Sequence, residues 1–108
     1  MHKGNNYSKK DSKNEKKKEL IKIIDNVLKM LFGKDETETL YFHLKIRKNL
    51  DKDEIVDRID DFIEFLIEIF NDLSQIILNR IINELELKYS VKITNNSELI
   101  KFVKEFFK

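Results

Sequence analysis

The chain has 108 residues, room for one domain, and its 41% hydrophobic content with eight Phe supplies enough apolar surface for a real core. It contains no Cys, which excludes disulfides, thiolate metal sites and cysteine nucleophiles together. The formal net charge of +1 selects neither an acidic nor a basic partner, but the charge is unevenly placed: residues 1–19 carry seven Lys against three acids, and the rest of the chain is mildly acidic.

The first residues, His2-Lys3-Gly4-Asn5-Asn6-Tyr7, form no apolar signal core. Charged residues interrupt every later apolar run well short of the roughly 20 residues that a membrane span needs, so a cytoplasmic protein with no membrane contact is expected. Residues 1–12 are polar and lack any apolar period. They read as a disordered basic tail attached to a single helical domain over 13–108. Ser12 and Glu15 have capping-box spacing, and the first helix is expected to start there and run through Leu20, Ile23, Ile24, Val27, Leu28 and Leu31. Gly33 stands where a terminating glycine belongs.

Asp35 and Glu38 repeat the box spacing and open a segment that reaches Asn49. Two periods compete within it. Leu40, Phe42, Leu44 and Ile46 alternate as in a strand, while Leu40, Tyr41 and Leu44 also fit a helical face. A second alternating run from Tyr89 to Thr94 could pair with it as a two-stranded ribbon. Such an isolated pair is marginal, and about 14 residues behind a cap suit a helix better.

Asp51 and Glu54 introduce the longest helical pattern, Asp53 to Tyr89, which lacks both Gly and Pro. Ile55, Ile59, Phe62, Leu66 and Ile69 recur at spacings of four and three, with Val56, Ile63 and Phe70 beside them. Asp53, Asp57, Asp60, Asp61, Glu64 and Glu68 fall on the opposite side of the same helical wheel. As one rod this stretch would be about 54 Å long at 1.5 Å per residue. Asn71, which tolerates a left-handed conformation, and the box spacing of Asp72 and Gln75 predict a turn that makes two helices of it. The second half buries Ile77, Leu78, Ile81, Ile82, Leu85 and Tyr89, with Ile76 and Leu87 off that stripe. Asn95-Asn96-Ser97 marks a loop and cap, and the last helix places Leu99, Phe102, Val103 and Phe106 on one face, to be covered by the domain or by another chain. The expected fold is all-α, a small bundle of about five helices, with a mostly helical domain carrying a small two-stranded ribbon as the alternative.

The motifs Leu40-Tyr41-Phe42-His43-Leu44, Asp53-Glu54-Ile55, Asp61-Phe62-Ile63 and Ile69-Phe70-Asn71, leading into Ile81-Ile82-Asn83-Glu84-Leu85, occur in an order that resembles an archaeal family of small helical domains described as NitrOD-type output domains. The resemblance covers about residues 20–108. It implies a helical fold and a regulatory or output role, and it assigns no catalytic residues.

Several chemistries bear on these residues. The acidic face of Asp53, Asp57, Asp60, Asp61, Glu64 and Glu68 gathers like charges that repel by a few tenths of a kcal/mol per i,i+4 pair, and a cation, a basic partner or the Lys-rich tail would relieve this. An EF-hand is excluded, because Ile55 occupies the fifth position after Asp51 and no Gly follows. His43 has no metal-binding companion and reads as a partly buried packing residue. Two glycines and no Gly-flanked Ser leave no phosphate loop and no serine nucleophile, so no enzyme activity, catalytic residue, metal or cofactor is inferred.

Lys9, Lys10, Lys13, Lys16, Lys17 and Lys18 could contact nucleic-acid phosphates without sequence preference. Gln75, Asn79, Arg80 and Asn83 are types that read base edges. The nine acids of residues 51–72 oppose a helix read into a groove just behind them. The function expected first is a protein-interaction or regulatory module, a homo-oligomer or partner of another protein. A nucleic-acid accessory role through the tail is the alternative.

Overall fold

The computed structural model describes residues 3–107, with side chains from Asn14 onward. The protein is all-α: α1 spans Lys3–Phe32, α2 Lys34–Lys48, α3 Ile59–Phe70, α4 Ser74–Tyr89 and α5 Asn96–Phe106. Asn71–Leu73 forms a 3-10 turn that joins α3 directly to α4 with no loop between, so the helical stretches set apart by non-helical residues number four where about five helices were expected. No strand occurs among the described residues. The candidate ribbon is replaced by α2 on one side and by irregular chain at Ser90–Thr94 on the other, where the Ile93 amide donates to Glu86 Oε2 at 2.9 Å and the Ile93 side chain is buried.

The start of α1 differs from the expected cap at Ser12. The backbone is helical from Lys3, ahead of that spacing. The side chains of residues 1–13 lie outside the described residues. At its other end α1 stops where predicted: Gly33 has φ +87° and ψ 168°, a backbone region open essentially to glycine alone, and its amide closes on the Lys29 carbonyl at 2.8 Å. α2 begins directly behind it. The box spacing of Asp35 and Glu38 is not used; instead the buried Thr37 donates from Oγ1 to the Gly33 carbonyl at 2.7 Å. Asn49 (φ 52°) and Ser90 (φ 54°) end α2 and α4 in the left-handed region.

The main departure lies at the head of the central stretch. Asp51 and Glu54 do form the expected local bond, Asp51 N–H donating to Glu54 Oε1 at 2.9 Å, but the pair closes only a 3-10 turn at Lys52–Glu54, and α3 starts at Ile59. Two causes are visible. Consecutive Ile55 and Val56 both enter the core, and Arg58, with non-helical backbone (φ −126°, ψ 48°), reaches back to donate to the Lys48 and Asn49 carbonyls at 2.9 Å each. The guanidinium thereby caps the end of α2. Asn71 (φ 51°, ψ −123°) then makes the predicted turn, so α3 and α4 fold back on one another. Asp72 and Gln75 form no capping box at the head of α4, where Ser74 Oγ donates to the Asn71 carbonyl at 2.6 Å.

α1 packs on α2, α2 on α3, α3 on α4 and α4 on α1, which closes a ring of four helices, and α5 lies outside against α3. The core runs along the ring axis from Leu20, Ile24 and Leu28 through Leu44, Phe62 and Leu66 to Leu78 and Leu85. α3 touches three helices, so its apolar surface extends beyond one stripe and takes in the fully buried Phe65, a residue outside the predicted face.

Candidate interaction surfaces

The six carboxylates predicted to share one helical face divide between two settings. Asp53 and Asp57 precede α3 and leave its wheel; Asp60, Asp61, Glu64 and Glu68 remain on it. Five of the six are met by cations from four different parts of the chain. Lys17 of α1 reaches Asp57 at 2.8 Å, Lys104 of α5 reaches Asp60 at 3.2 Å, and Arg58 Nε reaches Asp61 at 3.0 Å. Lys48 of α2 lies between Glu64 and Glu68 at 2.9 and 3.1 Å. The bond from Lys104 holds the Asp60 carboxyl below its ordinary range, and the two glutamates raise Lys48 above its own. This side of the molecule is a belt of intramolecular ion pairs that ties α1, α2 and α5 to the α3 region.

Of the six lysines assigned to the N-terminal tail, Lys17 is thus engaged with Asp57, Lys16 Nζ lies 4.9 Å from the centroid of the Phe106 ring, and Lys18 is exposed. Lys9, Lys10 and Lys13 lie outside the described side chains. Gln75 donates to Asn79 Oδ1 at 3.0 Å and to Asn96 Oδ1 at 3.2 Å, which links the α4 polar arc to the start of α5. The aromatics at the end of α5 and just after it gather inside the chain: Phe102, Phe106 and Phe107 surround Tyr89 with ring centroids 4.9–6.0 Å apart, with Phe107 buried and Phe106 still 38% exposed. Burial, then the hydrogen bond to Glu19 Oε1, pushes the Tyr89 hydroxyl up to about 12.

A polar constellation that no sequence motif announces sits where α1, α2 and the 3-10 turn meet. Asp25 is 8% exposed and accepts from Tyr41 Oη at 2.7 Å; its two oxygens also face Lys29 Nζ at 2.8 Å and Lys52 Nζ at 3.2 Å. Burial alone would raise the carboxyl, but the bonds from Lys29, Tyr41 and Lys52 together outweigh it and hold Asp25 below its usual value. Burial and the same contact push the Tyr41 hydroxyl far up, and Lys52 also lies 5.1 Å over the Tyr41 ring. Both lysines complete a satisfied structural pair, with no unpartnered buried polar atom among the described side chains. The signal in the sequence is Asp25 itself, a lone acid inside the apolar run Ile23 to Leu28 with Lys29 four residues on.

The surface built from the C-terminus of α1 and the α3–α4 turn is apolar and open. Phe32 and Phe70 stack with centroids 5.2 Å apart and planes within 11°. On one side of the stack a groove of about 220 Å³ is lined by Leu31, Phe32, Phe70, Leu73, Ile76 and Ile77. On the other side a second groove, about 250 Å³, is lined by Leu40, Ile69, Thr39, Glu36 and His43 around the same two rings. His43 is exposed here, not partly buried, because α2 turns its 42–43 edge to solvent. Leu73 and Ile76 are 61% and 59% exposed, and Met30 and Leu31 of α1 also reach solvent. One scattered exposed Leu requires no explanation, but a contiguous set around a stacked aromatic pair does.

No helix of the described residues is long and apolar enough to cross a membrane. No family model, curated protein or solved structure matches the chain.

Proposed function

We propose that the protein is a small helical association module, acting in a regulatory or output role, that self-associates through the apolar end around Phe32 and Phe70. The observation that carries this reading is the continuity of the two grooves through one stacked aromatic pair, with Leu31, Leu73 and Ile76 exposed at its margin. Apolar area of this kind gains free energy when a partner removes it from water, at about 25 cal/mol per Å². The resemblance to NitrOD-type output domains supports the regulatory part of the reading, and the engagement of the acidic face by the chain's own cations favours the apolar end over that face as the contact surface.

Light scattering across a concentration series tests the proposal. The expected mass rises from 13.0 kDa toward twice that value as concentration increases. A constant monomer mass at the highest concentration reached would overturn it.

A further inference from the structure

Resting on the association reading, we infer that the occupant of this surface is a second copy of the chain, docked antiparallel, α4 against α4, about a two-fold axis at Ile76. A closed dimer requires a surface complementary to itself, in which each residue on one side of the axis meets its counterpart from the other side. The exposed ridge of α4 meets this requirement at one place. Arg80 follows Ile76 by four residues on α4, about 6 Å along the helix at 1.5 Å per residue, and Asp72 precedes it by four, in the 3-10 turn that leads directly into α4, at about 6–8 Å on the other side. A two-fold rotation at Ile76 carries Asp72 onto the partner's Arg80, and Arg80 onto the partner's Asp72.

Both side chains are available for this. Asp72 and Arg80 are exposed, and neither enters an ion pair among the described residues. Arg80 instead lies with Nη2 3.0 Å from the Met30 sulfur, a weak acceptor, which holds the guanidinium over the α1–α4 seam at the edge of the patch. This contrasts with the acidic belt, where five of the six predicted carboxylates have a cation. Moving the axis to Arg80 would set that arginine against itself. With the axis at Ile76, the isoleucine meets its own copy, Leu73 and the α1 residues Met30 and Leu31 flank the contact, and the two α4 macrodipoles oppose each other favourably.

Charge reversal with rescue tests the arrangement by sedimentation velocity. Asp72→Arg and Arg80→Asp each set like charges together across the axis and are expected to weaken dimerisation by roughly tenfold or more, whereas the double reversal restores the opposite pairs and the dimer. The cysteine-free chain allows a second readout: Ile76→Cys should form a homodisulfide on mild oxidation, and Leu87→Cys, far along the ridge, should not. All four sites are exposed, and circular dichroism verifies that each variant folds. A wild-type dimer that ignores both single reversals and crosslinks equally at 76 and 87 would overturn this geometry while leaving association standing. A wild-type monomer at every concentration would overturn association itself.

Discussion

At Asp25 a carboxylate sits nearly out of solvent and holds three elements together through Lys29, Tyr41 and Lys52. Removing the charge while keeping the shape leaves the Lys29 and Lys52 ammonium groups with no anion between them. Asp25→Asn is therefore expected to lower the unfolding free energy by about 2–3 kcal/mol, measured by urea denaturation at neutral pH. The folded carboxyl is held below its unfolded value, so its contribution is complete above about pH 4 and is lost as pH falls through the folded value. The wild type should lose stability over that acid range more steeply than the Asn variant; parallel acid limbs would contradict the assignment. Tyr41 and Lys52 are 16 and 27 positions away in the chain, so no local spacing announces the cluster, although an acid breaking an apolar run gives one of its members away.

Helix ends are legible wherever one residue decides them. Gly33, Asn49 and Asn71 stand at the stops because only residues that accept positive φ can reverse the chain there without strain. Helix starts are less so. The same capping-box spacing occurs at Ser12, Asp35, Asp51 and Asp72, yet none opens its helix as a box: α1 starts earlier, α2 starts on Gly33, the Asp51 box closes only a 3-10 turn, and Asp72 and Gln75 form none ahead of α4. The late start of α3 depends on Arg58 reaching a different helix, a contact that no window of neighbouring residues contains. Arg58→Ala should cost about 1–2 kcal/mol, as for hydrogen bonds from a charged donor to carbonyls otherwise left open. Its signature is local: amide exchange should accelerate in the last turn of α2, Lys45 to Asn49, more than in α4. Uniform acceleration would mean that the guanidinium acts only on global stability.

Across the molecule, the ion pairs gather around α3, while exposed apolar side chains occur at the Phe32–Phe70 end and also singly at Phe42, Ile46 and Leu87. The acidic stripe and the basic first helix are both visible in the sequence, which leaves their relation open among a cation, a partner and the chain's own lysines; Lys17, Lys48 and Lys104 meet the acids from three helices. The exposed apolar end is hidden from a linear reading, because there the aromatics of α5 look uncovered while Tyr89 in fact packs among them. Exposed ion pairs are weak singly, so Asp57→Asn should change global stability by less than about 1 kcal/mol. It should nonetheless release the first described turns of α1, seen as faster amide exchange near Lys17 at low ionic strength. That difference from wild type should vanish by about 0.5 M salt, where screening has removed the attraction. Equal exchange in both proteins at low salt would show that the pair holds nothing.

The helix stops at Gly33, Asn49 and Ser90 carry a kinetic consequence, because each ends its helix on a residue with positive φ and without the proline that commonly follows such a stop, and this chain has no proline. No peptide bond in it must wait on prolyl isomerisation, which takes tens to hundreds of seconds at 25 °C. Its assembly is set by how fast short-range helices meet, a process of microseconds to milliseconds in helical bundles. A freshly synthesised copy can therefore present Ile76, Asp72 and Arg80 in final form almost as soon as it leaves the ribosome, with little time spent as a half-folded chain whose apolar end invites the wrong neighbour.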